Sequence, residues 1–200
     1  MNPIYRRAHF LMGVPTPEGL PPDTGLEVAF AGRSNAGKSS AINTVTDQKS
    51  LARTSKTPGR TREIIVFPVT EDRRLVDLPG YGFAKVPELV RRHWQQALPR
   101  YLSTRRSLAG LVVIMDVRHP LTDYDRQMLA WCQDRDLPAH ALLTKADKLK
   151  RGPAMNTLQR VRAEMQREFP GATVQLFSAL KRTGIDDVHA RLDEWLQLGG

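Results

Sequence analysis

Leu26-Glu27-Val28-Ala29-Phe30-Ala31 runs directly into Gly32-Arg33-Ser34-Asn35-Ala36-Gly37-Lys38-Ser39, and this junction decides how the rest of the chain is read. The first segment is nearly all apolar and of strand length. The second fits G-x-x-x-x-G-K-[ST], and a helical pattern follows it. Strand, glycine-rich turn and helix is the setting in which backbone N–H groups converge on phosphate oxygens and the helix N-terminus adds its dipole. Lys38 is expected to neutralise β- and γ-phosphates, and Ser39 to hold Mg²⁺. The reading is a nucleoside triphosphate site.

Working outward, Ile64–Val69, Arg73–Asp77, Leu111–Asp116, Ala139–Leu143 and Thr173–Phe177 also read as strands. Between them Met155, Leu158, Val161, Met165 and Phe169 recur at helical spacing, as do Ile185, Val188, Leu192, Trp195 and Leu196. Alternating strands and helices predict an α/β fold, a mostly parallel six-stranded sheet with helices on both faces. Only a short polar turn at Glu71-Asp72 separates two of the strands, so they form a hairpin and leave one antiparallel edge strand. Residues 1–24 hold five of the 14 prolines and show no period, so they are expected to be an N-terminal extension to one domain over 25–200.

The 200 residues are 40% hydrophobic and 26% charged, which excludes wholesale disorder. The single cysteine, Cys132, excludes an internal disulfide or a cysteine-built zinc site and is expected in the core. No apolar run approaches membrane-spanning length, and Met1–Leu11 does not read as a signal peptide, so a cytoplasmic protein without a membrane partner is expected. Net charge is +9, which favours polyanionic partners through counterion release.

Three further motifs follow other strands. In Asp77-Leu78-Pro79-Gly80, the carboxylate can join the Mg²⁺ shell and the glycine N–H can meet a γ-phosphate. In Thr144-Lys145-Ala146-Asp147, the carboxylate can accept from guanine N1–H and its 2-amino group, a pair that adenine lacks. Lys145 would lay its stem along the purine. Thr144 stands where Asn is usual, so a weaker tie to the phosphate loop is expected. Phe177-Ser178-Ala179 can offer backbone N–H groups to guanine O6.

Taken together, GRSNAGKSS, KTPGRT, DLPGYGFA, TKADKL and FSAL resemble the bacterial EngB family of GTPases, also called YsxC or YihA. The resemblance spans roughly residues 5–197. It implies a P-loop GTPase fold, the G domain, and a small cytosolic GTPase in assembly of the large ribosomal subunit, with an older association with cell division and septation. GTP and GDP, and the ribosomal precursor with its rRNA and ribosomal proteins, would be the partners, and a monomer is expected. Gly59-Arg60-Thr61-Arg62-Glu63 would close over the phosphates, with Thr61 as second Mg²⁺ ligand. Arg62 departs from the family, which more often has Gln there.

Lys49–Arg62 carries five basic and no acidic residues and reads as a switch loop ordered by the γ-phosphate. Tyr81 follows D-x-x-G directly, where small signalling GTPases place the glutamine that orients water. No glutamine lies from Gly80 to Trp94, so slow intrinsic hydrolysis is expected; Tyr81 and Phe83 either serve a partner or tuck into the core. Arg91, Arg92, Arg100, Arg105 and Arg106, with His93, Trp94 and Tyr101, suit either RNA contact or a solvated helix face. Lys181 and Arg182 would extend a basic rim. Asn35 resembles the asparagine that helps bind K⁺ in certain GTPases lacking the glutamine; otherwise it only stabilises the turn. Lys38, Thr61 and Asn35 are thus the candidate catalytic groups. A P-loop kinase would have no use for T-K-A-D, and an RNA-binding module stabilised by GTP would show little turnover.

Overall fold

The alternation of side chains along two neighbouring strands divides the molecule into layers. On β2 (Leu26–Gly32), Val28 and Phe30 point to one face of the sheet, and Ala29 and Ala31 to the other. On β5 (Leu108–Asp116), Val112 and Ile114 join the first set, and Leu111, Val113 and Met115 the second. Both strands are covered on both sides, which is why they read as continuous apolar runs.

The computed structural model describes residues 2–52, 63–81 and 97–199. The remaining strands are β1 (Met12–Val14), β3 (Ile64–Pro68), β4 (Arg73–Asp77), β6 (Ala139–Thr144) and β7 (Thr173–Leu176). They form a sheet of order β1-β3-β4-β2-β5-β6-β7. The helices are α1 (Lys38–Val45), α2 (described over 97–104), α3 (Asp123–Gln133), α4 (Arg151–Glu168) and α5 (Ile185–Leu196). Ile42 and Val45 of α1 and Val188, Leu192 and Leu196 of α5 cover one face. Tyr101 and Leu102 of α2, Met128 and Leu129 of α3, and Leu158, Val161 and Met165 of α4 cover the other. Gly110 on β5 is required by this packing, because a Cβ there would lie 2.3 Å from the Trp195 ring.

The sheet has seven strands rather than the six expected. Met12, Gly13 and Val14 pair antiparallel with Val66, Ile65 and Ile64, so β1 is the edge and the antiparallel strand β3 lies one place inside it. Three residues are too few to show a period, and this pairing is made by the backbone. Residues 1–24 also contribute to the core. Tyr5 is fully buried against His189, ring centroids 4.7 Å apart, and its Oη donates to Asp193 at 2.7 Å. Cys132 is buried as expected, and burial pushes its thiol up to about 12.

Candidate functional site

The C-terminal ends of the parallel strands open on one edge, and β2 sits where the chain order reverses, with β4 on one side and β5 on the other. In open α/β sheets such a switch point forms a ligand crevice. The glycine-rich loop leaves β2 here. Asn35 (φ 63°) and Gly37 (φ 104°) take the left-handed conformation that turns the chain into α1. Gly37 caps α1 without a side-chain bond, so the leading N–H groups remain available to an anion.

In the first turn of α1, Lys38 is buried and forms an ion pair with Asp77 at the end of β4. Burial pushes the Asp77 carboxyl up, and the Lys38 ammonium opposes that rise. Leu78 N–H then donates to Phe30 at 3.0 Å, which carries the chain past β2. Gly80 lies against the phosphate loop, where a Cβ would come within 3.4 Å of Ser34 Cα. No group of three or more His, Cys, Asp or Glu capable of caging a metal occurs among the described residues. Ser39 and Asp77 instead bring a hydroxyl and a carboxylate to the first turn of α1. That oxygen donor set fits Mg²⁺, which is commonly held by one or two side chains with substrate phosphates and water.

The other half of the crevice is tied to the first. The Thr144 hydroxyl bonds the Ala36 carbonyl of the phosphate loop and lies 3.0 Å from the Met115 carbonyl. Lys145, itself left-handed (φ 57°), donates from Nζ to the Asn35 carbonyl at 2.6 Å. Asp147 accepts from the Ser178 hydroxyl, and Ala146 N–H donates to Phe177 at 3.1 Å, so the loops after β6 and β7 are laced together.

A family profile described as "50S ribosome-binding GTPase" matches residues 27–145. The chain is 57% identical over 200 residues to the probable GTP-binding protein EngB of Nitrosococcus oceani, covering 100% of both. To that of Stenotrophomonas maltophilia it is 54% identical, covering 99% of this chain and 100% of the relative. The chain belongs to the EngB family of GTP-binding proteins. A crystal structure of a probable EngB superposes with TM-score 0.68 at 22% identity, over 86% of this chain and 100% of that one. Era, in complex with MgGDPNP and a segment of 16S ribosomal RNA, shares the fold with TM-score 0.65 at 21% identity, over 86% and 57%. As an EngB-type GTP-binding protein, the chain is a GTPase.

Several expectations change in this EngB-family chain. Thr144 does not loosen the tie to the phosphate loop, because its shorter side chain still reaches Ala36. Tyr81 is buried, bridged through its backbone to Gly32 and Ser34, and its Oη donates to Asp125 at 2.8 Å. Tyr101 is no stacking platform, since it is fully buried and donates to Glu27 at 2.8 Å. Arg105 is likewise committed, to Glu27 at 2.9 Å and to the Pro21 carbonyl at 2.9 Å. Arg100 and Arg106 remain exposed. Glu63 is exposed; Gly59, Arg60, Thr61 and Arg62 lie outside the described residues, as do Phe83, Arg91, Arg92, His93 and Trp94. Asn43, which sequence reasoning passed over, clasps Ala52 through both its side-chain oxygen (2.7 Å) and its nitrogen (2.9 Å). Asp116 was also missed, although an acid closing an apolar strand run at this edge was a readable signal.

Proposed function

We propose that this GTPase is a cytoplasmic, monomeric guanine-nucleotide switch in assembly of the large ribosomal subunit, and that normal cell division depends on it through ribosome supply. The lacing of the Thr144–Asp147 loop to the phosphate loop carries the nucleotide part of this reading. Gly32–Ser39 cradles the phosphates, with Arg33, Ser34 and Ala36 lending backbone to the loop. Lys38 neutralises the β- and γ-phosphates, and Gly80 N–H meets the γ-phosphate. Asp147 reads the guanine edge, Lys145 supports the ring, and Ser178 and Ala179, beside Phe177, face O6. Gly59, Arg60, Thr61, Arg62 and Glu63 close over the phosphates.

Ser39 and Thr61 hold Mg²⁺, and Asp77 acts on its shell. Bound there, Mg²⁺ supplies positive charge against the phosphoryl oxygens. Lys38 does the same from the protein side. Water attacks the γ-phosphorus directly as its bond to the β–γ bridging oxygen breaks, so that GDP leaves and phosphate and a proton are released with no covalent intermediate. The burial of Tyr81 supports slow unaided turnover, because its hydroxyl is spent on Asp125 and not on a water. Asn35 assists K⁺ binding at the phosphates; faster turnover in K⁺ than in Na⁺, lost in Asn35→Ala, is the expected result.

The ribosomal part rests on the net charge of +9 together with membership of a family whose profile is described as ribosome-binding. Co-sedimentation with large subunits in GTP and in GDP, at rising salt, tests it. Association favoured by GTP, falling steeply with salt and flattened by Arg91→Ala with Arg92→Ala, is expected. Depletion of the protein should leave immature large subunits on a gradient before division fails. Division failure with normal ribosome profiles would favour direct action at the septum.

A further inference from the structure

Asp116 closes β5 and stands opposite Thr144 in the sheet register. Its carboxylate is fixed from one side by Arg118, whose backbone N–H donates at 3.0 Å, Nε at 2.9 Å and Nη2 at 2.7 Å. From the other side Lys145 Nζ approaches Oδ2 at 3.0 Å. The same Nζ donates to the Asn35 carbonyl at 2.6 Å. The lysine ammonium is therefore anchored between the end of β5 and the phosphate loop. Its hydrocarbon stem spans from there to the backbone that carries Asp147.

Burial alone would raise the Asp116 carboxyl, but the hydrogen bonds from Arg118 and Lys145 outweigh it and hold the group below the usual carboxylate range. Asp116 thus carries a full charge at neutral pH. An ammonium on a four-carbon stem is otherwise one of the most freely rotating groups in a protein. Anchoring it before the ligand arrives removes an ordering penalty from binding. The Lys145 side chain is 32% exposed even with its ammonium anchored, which leaves room for a planar ring to lie along it.

We infer that Asp116 is a positioning residue for Lys145, and that through it Asp116 sets the guanine-nucleotide affinity of the site. The inference rests on the base-reading role proposed for Lys145 and Asp147. Asp116 acts at the base end of the crevice and away from the γ-phosphate. GTP and GDP should therefore be affected alike, a pattern that damage to the Mg²⁺ or switch elements would not give.

Titration of GDP, GTP and ADP into the full chain, with GDP dissociation rates, tests it in Asp116→Asn, Lys145→Met and the double variant, each checked by thermal unfolding. Asp116→Asn should weaken GDP and GTP about tenfold each, mainly through faster dissociation, and leave their ratio unchanged. Lys145→Met, which keeps the stem and removes the ammonium, should reproduce that loss. The double variant should bind no worse than Lys145→Met alone, because the two residues act through one contact. Unchanged affinity in Asp116→Asn, or losses that add in the double variant, would overturn the inference while the unaltered protein still preferred GDP. Equal binding of GDP and ADP by the unaltered protein would instead overturn the base-reading proposal, and this inference with it.

Discussion

Lys38 and Asp77 come from different strand ends, one following β2 and the other closing β4, and their charges meet in a buried ion pair at the mouth of the phosphate loop. A nucleotide phosphate entering this loop competes with Asp77 for the same ammonium. The pair keeps the lysine poised in the crevice, and its ammonium opposes the rise that burial imposes on the Asp77 carboxyl.

Removing one partner should therefore be costly even without nucleotide. Lys38→Ala leaves a buried carboxylate without its counter-charge, which destabilises by about 3–5 kcal/mol. Urea unfolding of the nucleotide-free protein measures this, and the double variant with Asp77→Asn should recover part of the loss. A decrease below about 1 kcal/mol would place the pair among weak surface ion pairs and contradict the geometry.

Tyr81 should matter for stability and little for unaided chemistry. Tyr81→Phe removes the bond to Asp125, which also accepts from Thr122 to close the capping box of α3, and should cost about 1–3 kcal/mol. Single-turnover hydrolysis without a partner should change by no more than a few-fold. A hundredfold loss of rate at unchanged stability would mean that the hydroxyl reaches the reacting water.

His140 provides a pH test. Gln175 Nε2 donates to the Gly184 carbonyl, so its Oε1 accepts from His140 Nε2, and His140 Nδ1 accepts from the Thr173 hydroxyl. The neutral ring is thereby favoured. Burial pulls its pKa down to about 4, the Gln175 bond opposing, with Arg191 lowering it and Asp187 raising it more weakly. Between about 4 and 6.5 the unfolded chain binds the proton and the folded chain does not. Stability is thus full above about 6.5 and falls as pH drops towards 4, by up to about 3 kcal/mol from this group. Denaturant midpoints from pH 7.5 to 4.5 should show the fall, and His140→Val should reduce its slope. An unchanged slope in that variant would remove His140 as its source.

The N-terminal segment supplies a fourth test. Tyr5→Ala should destabilise by about 3–5 kcal/mol, as for other buried aromatic truncations, because it empties a site against His189 and breaks the bond to Asp193. A loss within about 0.5 kcal/mol would show that residues 1–24 are dispensable to the core.

Four of the motifs, at Gly32–Ser39, Asp77–Gly80, Thr144–Asp147 and Phe177–Ala179, could be placed from the sequence because each follows a parallel strand, and apolar runs such as Leu111–Met115 announce those strands directly. What escaped the sequence depends on long-range pairing. Met12–Val14 has no period of its own and becomes a strand only against Ile64–Val66. Arg105 looked like a surface cation because its partner Glu27 lies 78 residues away in an otherwise apolar strand. Thr144, standing where Asn is usual, read as a weaker tie to the phosphate loop because the Ala36 carbonyl that its hydroxyl reaches lies 108 residues away in sequence. Tyr81 had two readings, and the position of Asp125, 44 residues on, decides for the core.

In the proposed function Asp147 reads guanine. Calorimetric titration of Asp147→Asn with GDP and with xanthosine diphosphate tests it most directly. Loss of the charged acceptor should weaken GDP by about 2–5 kcal/mol, while the amide's N–H group gains a partner in the 2-oxo group of xanthine. A reversal is expected, with xanthosine diphosphate binding the variant more tightly than GDP does. Wild-type GDP affinity in the variant, with no gain for the xanthine nucleotide, would contradict it.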